Sequence, residues 1–431
     1  MNRRLFMKLM AATGMAFSMP LTSRPALAAT PDRFWVMVHA GGGWDPTSLI
    51  DPKGDAERED GRGPVNHYAA ADIRQVGNVR YAPVPTTGVN NAAAIQQVFD
   101  DFFSTLGPNL LVVNGIDTQT NSHTIGTRTV WSGSNNMGQP AFAAMVAAAS
   151  GGDLPMPFVT NGGYDHTDGL VGASRVSGSG QFTRLAYPNR YNPGRDNDLY
   201  LPGELYALVE EARQDRLRAL QQREPLPQRR RLVSELFGAR VGDNSLERIV
   251  DKLPSRISGG IKGQAEMAAA SFAAGLAVSA NLVTGGFDTH GNHDNNHYRS
   301  LSTLLDGLMH LWSELERQGV ADRTTVLVGS DFGRTPYYNG GNGKDHWNVT
   351  SMMAFGAGIS GNRVIGGTSA DFRALRVKNT STLELEPDPK GDGLTLTTAH
   401  IHKSLRRAAG LEGTELDRKY PIGVEQLALF G

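Results

Sequence analysis

The chain has 431 residues, 39% of them hydrophobic and 20% charged, with a formal net charge of −1. This is ordinary globular composition, and 51 glycines and 22 prolines point to long, shaped loops between apolar runs. The absence of cysteine excludes disulfides, thiolate metal sites and cysteine nucleophiles, and the charge offers no general attraction to nucleic acid or anionic lipid.

Residues 1–28 read as a twin-arginine export signal. Arg3 and Arg4 pair beside Phe6 and Lys8, a short apolar run follows, and Ala26-Leu27-Ala28 offers a small-x-small cleavage site. The run is too short for an ordinary transmembrane helix. Its removal takes away four basic residues and no acids, moving the formal charge from −1 to −5. The expected export partner is the Tat translocase, and the expected location is the periplasm or the extracellular space. No stable membrane insertion is expected after cleavage.

Residues 30–431 are expected to form a single domain. "FWVMVHA" (34–40) reads as a buried strand running into a glycine loop with Asp45 at its far side. Ile95, Phe99, Phe102 and Leu106 mark one face of a helix that Gly107-Pro108 stops. "NLLVVNG" (109–115) is the next strand, "QPAFAAMVAAAS" a helix and "PFVTNGG" another strand. Residues 195–258 are charged, helical and strand-free, a helical insertion that either caps the site or is solvated. "SANLVTGGFDTHG" (279–291) is a strand entering an Asp-x-His loop, followed by a helix with Asp294 as N-cap and Gly319 past its end. "TTVLVGS" (324–330), "SMMAFGAG" and "RVIGG" supply further strands, and "TTAHIHKSLRRAAGL" a last helix. Strands alternating with helices argue for an α/β fold, a mostly parallel central sheet covered on both faces.

In such a sheet, function gathers beyond the carboxyl ends of strands. Asp45, His123, Asp288, His290 and Asp331 all follow strand-like runs, and Asp345-His346 lies in the loop after Asp331. Carboxylates and imidazoles together suit a divalent ion. Arg334, just after Asp331, either binds an anionic substrate or pins its loop to Asp345. His293 and His297 stand four apart and read as a solvated first helical turn. "GGYDHTDG" (162–169) reads as a polar turn, and His400 and His402 as surface or packing residues. No nucleophile elbow, P-loop, H-E-x-x-H or dinucleotide fingerprint occurs.

Asp45 followed in order by "NSHTIGTRTVWSG", "FDTHGN", "SDFGRT" and "GKDHW" resembles an uncharacterised group of twin-arginine-exported bacterial proteins. That group is a domain of unknown function near the alkaline phosphatase and sulfatase superfamily. The resemblance implies an alkaline phosphatase-like α/β fold with a metal-centred phosphate- or sulfate-ester site. It implies one divalent ion (Zn, Mn, Mg or Ca) held by Asp288, His290 and His346, with Asp331 and Asp45 contributing directly or from behind. Phe332 stands where a histidine of a second metal would be expected. His123 takes the nucleophile position, flanked by Ser122 and Thr124, and is a nucleophile, a metal ligand or the remnant of a dead site. The expected function is an exported metal-dependent hydrolase acting on a small-molecule or polymer-borne anionic ester. The alternative is a non-catalytic exported protein working through a partner.

Overall fold

The computed structural model describes residues 32–151, 154–175, 186–192, 195–226, 245–371 and 373–430. The signal-peptide expectation falls outside the described residues.

Eight strands form one sheet: β1 (Phe34–Ala40), β2 (Leu111–Asp117), β3 (Phe158–Thr160), β4 (Ala173–Arg175), β5 (Ser279–Thr284), β6 (Thr324–Ser330), β7 (Val349–Gly356) and β8 (Arg363–Gly366). Their order is β8-β2-β7-β6-β1-β5-β3-β4, and β7 alone runs against the rest. β1 sits between β5 and β6, with Trp35 level with both Ser279 and Thr325. Its seven residues are all buried, which is why the run is continuously apolar instead of alternating.

Successive β1 side chains serve two cores. Phe34, Val36 and Val38 join one apolar cluster, and Trp35 and Met37 join the other. Helices α1 (Ala92–Leu106), α5 (Gly260–Ala273) and α6 (His293–Arg317) cover the first face. Helices α2 (His123–Ser132), α3 (Phe142–Ser150) and α7 (Thr398–Ala408) cover the second. The expected face of α1 is the buried one, with Ile95, Phe99, Phe102 and Leu106 inside. Each fully buried Leu or Phe there contributes roughly 1.5–3 kcal/mol.

Within the helical insertion, α4 (Gly203–Arg223) is strand-free and helical as expected, and none of its described side chains is fully buried. Residues 227–244 of the insertion lie outside the described residues. The start of α6 differs from expectation. Asn292, in a left-handed conformation at φ 46, precedes the first helical residue His293. Asp294 is therefore already in the first turn, and its carboxylate is taken by other partners. Gly319, at φ 69, follows the helix as expected.

Because β7 is antiparallel, the chain enters it at the edge where β1, β2, β5 and β6 end. The segment carrying Asp345 and His346 therefore arrives beside the loops that leave those four strands. This edge collects His123, Asp288, His290, Asp331, Asp345 and His346.

Candidate metal centre

Three imidazoles and one carboxylate meet here. His123 is the first residue of α2, Asp288 and His290 leave β5, and His346 precedes β7. Ligand atoms of His123, Asp288 and His346 all lie within 4.8 Å of one another. His290 Nε2 lies beside two of them, 3.0 Å from Asp288 Oδ1 and 2.9 Å from His346 Nε2. Asp288 Oδ1 is also 3.1 Å from His346 Nε2, and Asp288 Oδ2 is 3.5 Å from His123 Nε2. The centre is open to solvent, with Asp288 and His290 side chains 49% and 47% exposed.

Each imidazole is fixed from behind by a group that only accepts. His123 Nδ1–H donates to Asp331 Oδ2 at 2.5 Å. His290 Nδ1–H donates to Asp345 Oδ1 at 2.7 Å. His346 Nδ1–H donates to the Asn121 carbonyl at 2.9 Å. With a proton held on Nδ1, each ring turns its Nε2 toward Asp288. Donor rings held by outer acceptors are the arrangement that metal-ligating histidines show.

Asp331 supports the site from behind. It accepts from the backbone N–H groups of Gly42 and Gly43 at 3.0 and 3.1 Å, besides His123. Behind it lies His39, a residue the sequence did not single out. The Trp131 indole N–H donates to His39 Nδ1 at 3.0 Å, so the proton of that ring is on Nε2, 3.7 Å from Asp331 Oδ1. Burial alone would raise the Asp331 pKa, but His39, His123 and the Gly42 N–H hold it below the ordinary value. Phe332 is fully buried, its ring centroid 4.8 Å from that of His123 and 4.5 Å from that of His346. It floors the centre without closing it.

Arg334 overturns the anion-binding expectation. Its guanidinium is fully buried and donates to the carbonyls of Gly42, Gly43 and Lys344 and, at 2.6 Å, to Asp288 Oδ1. It pins loops and aims Asp288, with no donor pointed at solvent. Nor does it pair with Asp345. Burial would raise the Asp288 carboxyl, but Arg334 and His346 outweigh it and hold the pKa down at about 2.

Asp45 is not in this cluster. The chain turns inward after Gly43, and the fully buried Asp45 caps a short turn through Thr47 N–H and the hydroxyls of Thr47 and Ser48. Its Oδ2 accepts from Lys344 Nζ at 2.7 Å. An internal ammonium thus balances Asp45, and both carboxylate oxygens are engaged. Burial would raise its pKa, but Lys344 and His293 hold it well below the ordinary value.

His293 and His297 also depart from expectation: both are fully buried. His297 Nε2 accepts from the Asp45 N–H at 2.9 Å, and its Nδ1 faces Thr289 Oγ1 at 3.3 Å. That hydroxyl lies 2.7 Å from His293 Nδ1. Burial lowers both imidazole pKa values, so these rings are neutral packing groups. The Asp-Thr-His motif thus works on two levels. Asp288 and His290 face the open centre, and Thr289 between them faces the buried pair. Asp294 is taken by His67 Nδ1 and the Tyr338 hydroxyl, each at 2.7 Å.

The sequence candidates Asp288, His290, His346 and His123 converge; Asp331 stands one residue behind, and Asp45 and Arg334 serve other purposes. Asp345, Asn121, His39 and Lys344 have roles that their local sequence does not signal. The remaining histidine expectations agree with the fold. His402 packs beneath α2 against the Val130 carbonyl, and His400 closes a capping box with Thr397.

Residues 262–385 match the family model "Protein of unknown function (DUF1501)". That segment holds Asp288, His290 and His346 but not His123. No curated protein matches the chain significantly. Among solved structures, the lipoteichoic acid synthase LtaP from Listeria monocytogenes is 8% identical, over 94% of this chain and 77% of that one, with a TM-score of 0.34. The PsFucS1 sulfatase from Pseudoalteromonas sp. is 10% identical, over 88% of this chain and 68% of that one, also at 0.34.

Proposed function

We propose that the protein is an exported, metal-dependent hydrolase of phosphate or sulfate esters, small-molecule or polymer-borne. The observation that supports this reading is the convergence of Asp288, His123, His290 and His346 on one solvent-open point. The donor set fits a divalent ion, because three imidazole Nε2 atoms gather around one carboxylate. A bound ion there would act as a Lewis acid, polarising an ester oxygen or lowering the pKa of a bound water. The protein's own groups hold this centre ready. Arg334 keeps Asp288 ionised and aimed, Asp331 and Asp345 keep His123 and His290 in the donor tautomer, and Phe332 keeps the floor apolar.

Export through the Tat translocase to the periplasm or beyond belongs to the same proposal, supported by the Arg3-Arg4 motif and the Ala26-Leu27-Ala28 site. Among the described residues no helix is long and apolar enough to cross a membrane. The formal charge of the processed chain disfavours nucleic acid as a partner.

A second reading, a non-catalytic protein that acts through a partner, draws support from Arg334, whose donors are all spent on the protein itself. The test is turnover of aryl phosphates and aryl sulfates by purified protein supplemented in turn with Zn²⁺, Mn²⁺, Mg²⁺ and Ca²⁺. Turnover that Asp288→Asn abolishes is expected. A metal-loaded protein that hydrolyses neither class sinks the hydrolase reading in favour of the second.

A further inference from the structure

We infer that the centre is a mononuclear site of three imidazole nitrogens and one carboxylate, selective for a borderline transition ion such as Zn²⁺ over Mg²⁺ and Ca²⁺. In this site His123 is a ligand and not a nucleophile. The inference rests on the reading that a divalent ion is held here, and it names the ion's class and its donors.

Donor chemistry carries the argument. Mg²⁺ and Ca²⁺ are hard cations that take oxygen ligands, six or more for Ca²⁺. Here Asp288 is the carboxylate among the Nε2 atoms, and the other two nearby each hold a histidine through its Nδ1. Asp331 is spent on His123 and two backbone N–H groups, and Asp345 Oδ1 on His290 and Asn339. What remains for an ion is three Nε2 atoms and Asp288, a set that suits Zn²⁺ and its transition-metal neighbours.

The tautomers sharpen this. His290 and His346 both carry their proton on Nδ1, yet their Nε2 atoms stand 2.9 Å apart. A borderline cation between two Nε2 atoms at that distance would take both lone pairs. His123 belongs to the set by the same rule. Its Nδ1 is held by Asp331, and its Nε2 points at Asp288 Oδ2, the oxygen that Arg334 leaves free. A nucleophilic imidazole would instead need its lone pair directed at substrate.

Isothermal titration of metal-free protein with Zn²⁺, Mg²⁺ and Ca²⁺ tests this, with Co²⁺ substitution as the spectroscopic readout. One Zn²⁺ per chain is expected, undisplaced by millimolar-range Mg²⁺ or Ca²⁺, with Co²⁺ giving the visible bands of a nitrogen-rich site. His123→Gln should weaken Zn²⁺ at least about 100-fold, beyond the roughly 10–100-fold that losing an outer partner costs. Circular dichroism of the same variant confirms that the fold persists, and His290→Gln repeats the test on a second donor. Equal or preferred binding of Mg²⁺ or Ca²⁺, two Zn²⁺ per chain, uptake of no ion, or unchanged affinity in His123→Gln overturns the inference. Tight 1:1 Zn²⁺ binding without ester turnover upholds it while the hydrolase reading falls. Turnover supported by Ca²⁺ alone does the reverse.

Discussion

Lys344 Nζ lies 2.7 Å from Asp45 Oδ2, and both side chains are fully buried. The pair joins the loop that follows β1 to the segment that carries Asp345 and His346, beneath the open centre. Removing one partner leaves an uncompensated charge in the interior, which costs about 3–5 kcal/mol. Lys344→Met and Asp45→Asn should therefore each lower stability by that amount in urea unfolding. The double variant should cost less than the sum of the two. A strictly additive double variant would mean that the pair is not coupled.

Asp345 holds His290 by a hydrogen bond of 2.7 Å, and that imidazole holds the Asp345 carboxyl below its ordinary pKa. Asp345→Asn keeps the shape but removes the charge, allowing His290 to turn or to change tautomer. Metal affinity should drop roughly 10–100-fold, while the unfolding midpoint of the metal-free protein barely moves. Equilibrium dialysis of the variant beside the parent decides it.

Arg334 depresses the Asp288 carboxyl, and the sign of the consequence follows. A carboxylate whose folded pKa lies below its unfolded value adds stability above the unfolded value, about 4. That contribution is lost as pH falls through the folded value, about 2. In metal-free protein, Arg334→Lys should narrow this window by raising the Asp288 carboxyl toward its ordinary value. Lysine keeps the charge but lacks the planar fork that reaches three carbonyls and a carboxylate together. Carboxyl-resolved NMR titration reads the shift, and an unmoved Asp288 would show that the hydrogen bond is not its cause.

Gly43 has φ +80, and a Cβ there would enter the Phe332 ring. Its N–H also supports Asp331. Gly43→Ala should cost more than the roughly 1–2 kcal/mol of the left-handed backbone alone, because Phe332 must move as well. Since Phe332 floors His123 and His346, metal affinity should fall with it. Paired measurements of melting temperature and Zn²⁺ binding check this.

The strands and the residues beyond them could be read from sequence, because a continuously buried strand is a run of apolar residues and its end is where polar residues return. That logic located His123, Asp288, His290, Asp331 and His346. It failed for Asp45, whose partner Lys344 is 299 residues away and leaves no local trace. It failed for His293 and His297, since polar residues at a helix start look solvated unless a buried threonine and carboxylate are known to wait for them. Arg334 looked available for substrate because its charge is visible in sequence, whereas the carbonyls that absorb it belong to the glycine loop after β1 and to Lys344. Asp345 was passed over for the same reason, because its role depends on a histidine 55 residues earlier.

The antiparallel entry into β7 has a further consequence, one of timing. His346 reaches the other donors only when β7 has paired with both β2 and β6, and Asp288 and His290 require β5 to have docked on β1. The donor set thus closes after the central strands are in register, and a partly folded chain has no preformed cradle to offer an ion. Under the proposed export in the folded state, metal loading would precede transport, and the cytoplasmic ion supply would set what the centre first carries.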